Sequence, residues 1–525
     1  MHRFAGVAAV CCCLAASIHL AAKEKVAQDL KKTDPAQTVD VIVRAKPSQK
    51  AAAHHKVVNK GGQKMADLDG INSALYRMPA GGAVALEADD EIDGVQPNRA
   101  VYGAAFYGTA DYGWATALGA SGPAPAYAGT GVGVAIIDSG VDDARDLQDL
   151  KGHSRVVYRE SLVDGEAASD GYGHGQHVAG IIVGNGNRSS GATSKYLVRG
   201  IAPNANLISL KALDKNGVSS DATVIAAILR AIELKDQYNI RVLNLSLGRP
   251  VMTSYVEDPL CQAVQQAWAA GITVVVAAGN GGRDNSTGNH GYGTILSPGN
   301  SPFVITVGAM NTTATANRAD DVITTYSAKG PTGIDHIAKP DLVAPGNRII
   351  SLRDNGSSLD RQFVDNRVPK YVYTTENSTD TPDYYQLSGT SMAAPMVSGA
   401  AALLVQKDPT VTPDQVKAIL MRTATKFPAI STTIYDPSTG YQSPIQYDLF
   451  TIGAGYLDVA AALAVSDKPV GACPSPATVF DPETASAYIV DDQQSIWGTQ
   501  SIWGTQSIWG TQSTRPAAVS EICST

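Results

Sequence analysis

The chain has 525 residues, enough at roughly 150 per domain for about three structural units with a large buried core. Hydrophobic residues make up 44% and charged residues only 17%, below the roughly 25% usual in globular domains, which excludes a disordered protein. With 41 basic against 49 acidic residues, a net charge of -8 and no long basic cluster, a nucleic-acid partner is excluded as well.

Arg3, an uncharged run over residues 4–22, and then Lys23, Glu24 and Lys25 have the layout of a secretory signal peptide, assigned to residues 1–22. Cys11, Cys12 and Cys13 leave with it, so Cys261, Cys473 and Cys523 remain. No later stretch has the length and apolarity of a membrane span, and the product is expected to be secreted, extracellular and monomeric. Residues 23–108 are charged and Lys-rich, with strands predicted at 38–43 and 94–101, and read as a small α+β unit.

Residues 109–465 change in texture. Short runs rich in Val, Ile or Leu at 132–137, 207–213, 242–247, 272–277 and 303–307 read as buried parallel strands. Between them Ile225, Ile228, Leu229 and Ile232 fall at helical spacing, as do Cys261, Val264 and Trp268. The alternation predicts an α/β fold, a mostly parallel sheet flanked by helices in three layers. Residues 466–525 read as a low-complexity tail in which Ser-Ile-Trp-Gly-Thr-Gln begins at Ser495, Ser501 and Ser507. In a strand Trp497, Trp503 and Trp509 share one face, a row able to stack on a cell surface or glycan; a tail trimmed after secretion is the other reading. Cys473 and Cys523 bracket the repeats and are expected to form a disulfide.

Three motifs carry the chemistry. Asp138-Ser139-Gly140 follows a buried strand; alone it fits an aspartic protease, but that chemistry needs a second such carboxylate and none exists. Gly173-His174-Gly175-Gln176-His177 opens an apolar helix. The spacing of three and the missing Glu do not fit a zinc protease, so no metal is assigned and His177 reads as a buried packing residue. Gly389-Thr390-Ser391-Met392-Ala393-Ala394-Pro395 sets Ser391 at a helix N-terminus, where free N–H groups favour an anion. Ala393 and the motif order exclude an α/β-hydrolase elbow. A serine hydroxyl needs an imidazole to take its proton, and the imidazole needs a carboxylate to orient it; Asp138, His174 and Ser391 supply the three roles.

In that order and in those motifs the chain resembles the subtilisin-like serine proteases, the subtilases, over roughly residues 110–465. The resemblance implies the subtilisin-like fold and a secreted endopeptidase made as a zymogen, acting on protein or peptide substrates through an acyl-enzyme on Ser391. It implies that Asn280, in Ala277-Ala278-Gly279-Asn280, donates to the oxyanion, and that Ser246, Leu247 and Gly248 pair with an extended substrate. Lys339-Pro340-Asp341 and Gly453-Ala454-Gly455-Tyr456 look like the family's structural landmarks. Residues 23–108 are similar to its inhibitory pro-segments, with self-cleavage expected between Ala100 and Tyr112. No cofactor is required, and structural calcium stays open. Gln176 and Arg249 depart from the usual pattern, the latter leaving substrate preference unassigned. The other reading is a non-catalytic adhesion protein that uses the Trp repeats on an inactive protease scaffold.

Overall fold

The computed structural model describes residues 24–103, 127–313, 315, 317–427, 431–436, 441–481 and 486–490. The expected signal peptide, the junction at 108/109, the Trp repeats and Cys523 lie outside the described residues.

The N-terminal unit is an antiparallel sheet in the order β2-β3-β1-β4: β1 (Thr38–Ala45), β2 (Gln63–Leu68), β3 (Ser73–Pro79) and β4 (Ile92–Pro97). Helix α1 (Lys50–Asn59) packs on it through Ala53 and Val57. Val41 and Val43 alternate inward on β1 and meet Tyr76, Met78 and Val95 in a separate small core. The strand expected at 94–101 is instead two. Pairing with β1 continues past Pro97 to Asn98, whose N–H donates to Asp40 O at 2.9 Å, and beyond it β5 (Ala100–Gly103) leaves this sheet for the larger unit.

The larger unit is built on an eight-stranded sheet. Its order is β14-β13-β12-β10-β6-β8-β7, with β15 also paired to β13. The strands are β6 (Gly133–Asp138), β7 (Val156–Ser161), β8 (Asn206–Lys211), β10 (Ile240–Leu245), β12 (Thr273–Ala277), β13 (Ile305–Asn311), β14 (Val322–Ile323) and β15 (Leu342–Pro345). Every pairing is parallel except β13 with β14, as the continuous apolar runs predict. Helices α2 (His174–Val183) and α5 (Thr390–Lys407) pack together, as do α3 (Asp221–Glu233) and α4 (Pro259–Ala269), giving the three layers. α5 is buried from Thr390 to Val405, so it runs through the core and shows no polar face. Pro395 lies inside this helix, and its missing N–H frees the Ser391 carbonyl, which accepts instead from the Ser246 hydroxyl at 2.9 Å. Cys261 is buried on α4, its thiol donating to Asn300 Oδ1 at 3.1 Å.

The C-terminal boundary differs from the expected one. Residues 473–478 are part of this unit, because they complete a buried charge cluster. Lys339 Nζ donates to Asp341 Oδ2 at 2.7 Å, while Ser475 Oγ donates to Asp341 Oδ1 at 2.6 Å and accepts from Lys417 Nζ at 2.7 Å. Both lysines and the aspartate are fully buried, so each needs these partners. Burial pushes the Lys339 amine down to about 7. Cys473 is a buried free thiol, pushed up to about 12 by burial, and no disulfide to it occurs among the described residues.

Candidate active site

The candidate residues gather at the C-terminal ends of the parallel strands, where α/β sheets open crevices. Asp138 closes β6 and His174 opens α2. His174 Nδ1 donates to Asp138 Oδ1 at 2.8 Å, with both residues buried. That bond fixes the tautomer and leaves Nε2 as the acceptor, the form a general base requires. Burial alone would lower the imidazole pKa; the charges of Asp138 and Asp170 outweigh it, and the net shift is upward. The glycines flanking His174 have steric reasons. Gly173 caps the helix at φ 100°, and a Cβ on Gly175 would collide with the Gly140 carbonyl.

Sequence reasoning missed Asp170. Its carboxylate accepts from three backbone N–H groups at the start of α2: Tyr172 at 3.1 Å, Gly173 at 2.7 Å and Gln176 at 2.7 Å. These are orphan donors of a helix N-terminus, and one buried side chain holds the turn that presents His174. Burial pushes the Asp170 carboxyl up to about 6. Gln176 keeps a structural role through Oε1, which accepts from Asp142 N at 2.8 Å. His177 Nε2 lies 3.0 Å from Ile349 O and 3.1 Å from Tyr385 O; burial pushes its pKa down to about 3, so it is neutral, as a packing residue should be.

Ser391 stands in the first turn of α5, buried. Its hydroxyl donates to the Ser246 carbonyl at 2.9 Å, while the Ser246 hydroxyl donates back to the Ser391 carbonyl at 2.9 Å. His174 Nε2 makes no hydrogen bond among the described residues. The acid–imidazole pair is therefore formed, while the serine hydroxyl is held on Ser246. Asn280 Oδ1 accepts from Thr390 N at 3.0 Å and from Thr390 Oγ1 at 3.1 Å. Since only the oxygen end of an amide accepts, these bonds fix which way the amide lies and turn its NH₂ away from Thr390. On the oxyanion role that the resemblance implies, Asn280→Ala is expected to lower kcat by about 10² to 10³ with KM little changed, because such an amide would meet charge that exists only in the transition state. An equal rise in KM would assign it to ground-state binding instead.

Beside these groups lies a strand slot. β9 (Val218–Ser220) and β11 (Leu247–Gly248) flank β5 in a three-stranded antiparallel sheet. Tyr102 pairs with Gly248 and Val218, and Gly103 with Leu247. The strand edge expected to take an extended peptide is thus occupied by the chain's own residues 100–103. Val101 is buried in the core of the larger unit and Tyr102 is 51% exposed.

Arg249 turns away from this slot. Its guanidinium donates to Asp221 Oδ1 and Asp258 Oδ1, both at 2.7 Å, and all three residues are buried. The charge is spent on tying α3 to α4 behind the slot.

A model described as the subtilase family matches residues 129–450. Serine protease AprX of Bacillus subtilis is 38% identical over 317 residues, covering 58% of this chain and 64% of that protein, so the chain spans a little under two thirds of it. Subtilisin DY of Bacillus licheniformis is 35% identical over 303 residues, covering 58% of this chain and 86% of that protein. Among solved structures, fervidolysin from Fervidobacterium pennivorans, a keratinolytic enzyme related to subtilisin, matches with a TM-score of 0.58. That alignment covers 84% of this chain and 62% of fervidolysin, and at 22% identity it speaks for the fold alone.

Proposed function

The chain belongs to the subtilase family, and from that premise we propose that it is a secreted serine endopeptidase made as a zymogen. The observations that support the reading are the buried Asp138–His174 bond at the head of α2, Ser391 at the head of the helix packed on α2, and the bond from Ser391 to Ser246, next to the strand slot. His174 Nε2 takes the Ser391 proton as the oxygen attacks the substrate carbonyl. The negative oxygen of the tetrahedral intermediate meets the Asn280 amide and the N–H groups at the start of α5. His174 then gives the proton to the departing amine, leaving an acyl-enzyme that water cleaves by the same steps in reverse. Asp138 holds the imidazole throughout and stabilises its charged form. Reaction of processed protein with a serine-directed fluorophosphonate tests this. Labelling at Ser391 is expected; silence would favour a non-catalytic binding protein on a protease scaffold.

Residues 24–103 act in this reading as a pro-segment that inhibits by filling the slot. Support comes from further contacts: Ala222 N donates to Asn98 Oδ1 at 2.9 Å, Asp221 N donates to Arg99 O at 2.8 Å, and Arg44 pairs with Glu257 at 2.8 Å. The register narrows the expected cut. Gly103 is opposite Leu247, and one step further along the ladder is Ser246, whose carbonyl holds the Ser391 hydroxyl. Self-cleavage is therefore expected between Ala104 and Ala105, read by N-terminal sequencing of the mature protein; a first cut at any other bond would remove β5 from the substrate position.

A further inference from the structure

We propose that Tyr172, together with Leu213, is a specificity-determining wall that restricts the second substrate residue before the scissile bond to Gly or Ala. The inference rests on the reading above, in which β5 occupies the substrate position and Gly103 is that second residue. Gly103 is fixed there by its own N–H, which donates to Gly217 O at 3.1 Å, and by its pairing with Leu247. A Cβ built on Gly103 already lies 3.3 Å from Leu213 Cδ1 and 3.9 Å from Tyr172 Cε1. One methyl group fits if the Leu213 methyl gives slightly; any atom beyond it has to displace the leucine or the ring.

Neither wall is free to retreat. Leu213 is fully buried, and its N–H donates to Asp138 O at 3.1 Å. Tyr172 is clamped through its backbone on both sides: its N–H donates to Asp170 Oδ1 at 3.1 Å, and its carbonyl accepts from Leu359 N at 3.0 Å. Its ring covers Gly217, where an added Cβ would lie 2.5 Å from Cε1 and Cζ, and it stands 6.3 Å from the His174 ring. Gly217 is needed under the ring, and the ring in turn closes the space under Gly103. Tyr102 is the internal contrast: the residue before Gly103 is half exposed, so the third substrate position should be read weakly.

The test uses quenched-fluorescence peptides carrying Ala-Val-Tyr-Xaa-Ala-Ala-Phe, with Xaa as Gly, Ala, Leu or Phe, and a second set varied at the Tyr. Wild-type enzyme is expected to prefer Gly or Ala over Leu by at least about 10- to 200-fold in kcat/KM, the range for one surplus methylene where Leu carries three carbons more than Ala, with small variation in the second set. Tyr172→Ala should reduce that preference by about tenfold or more, and Tyr172→Phe should keep it, since the ring supplies the wall. Leu213→Ala reads the opposite wall should Tyr172→Ala fail to fold. Equal cleavage of all four Xaa peptides by wild type, or an unchanged preference in folded Tyr172→Ala protein, overturns the proposal while leaving the peptidase reading in place. Failure of wild type to cut any peptide or to react with fluorophosphonate defeats the peptidase reading itself.

Discussion

Ser391→Ala is expected to lower kcat by about 10⁶, a magnitude known from subtilisin itself, and to leave residues 24–103 joined to the rest of the chain. The loss is this large because no neighbouring group replaces the nucleophile. Ser246 offers a hydroxyl nearby, but it is engaged in donating to the Ser391 carbonyl at 2.9 Å. The slot and the amide of Asn280 persist in the variant, so the residual rate reflects binding and oxyanion stabilisation without covalent catalysis. Turnover of a peptide substrate and gel mobility of the purified variant check both halves. Near-normal turnover would take Ser391 out of the reaction, and processing at the Ala104–Ala105 bond in a host without other proteases would show that maturation is not autocatalytic.

The candidate site was legible in the sequence because each candidate residue lies inside a short local motif. Asp138 follows its strand, His174 opens its helix between two glycines that geometry requires, and Ser391 heads the wholly buried helix. What stayed hidden depends on residues far apart. Asp170 stands four places before His174 with no motif of its own, and its capping role exists only once the turn has formed. Arg249 looked like a comment on substrate preference because its partners, Asp221 and Asp258, come from the starts of two separate helices. The Pro- and Ser-rich segment after Cys473 read as tail, since nothing local reveals that Ser475 satisfies two buried charged groups drawn from positions 341 and 417.

Asp138→Ala is expected to lower kcat by about 10⁴ to 10⁵, less than loss of the serine because the imidazole remains and can still take a proton when its ring happens to be correctly turned. Asp138→Asn should be comparably poor despite its shape. An amide NH₂ facing Nδ1 would favour the tautomer with its proton on Nε2, which cannot act as a base toward Ser391. The pH profile separates orientation from mere packing. His174 works as a base only when neutral, and its pKa is raised, so wild-type kcat/KM should fall as pH drops through a midpoint above the ordinary imidazole value of about 6.5. Removing the Asp138 charge leaves burial, which lowers the pKa, opposed only by Asp170. The acidic limb of the variants should therefore move to lower pH even as the plateau collapses. A plateau that falls with an unmoved limb would mean that Asp138 supports the fold around His174 without sharing its proton chemistry.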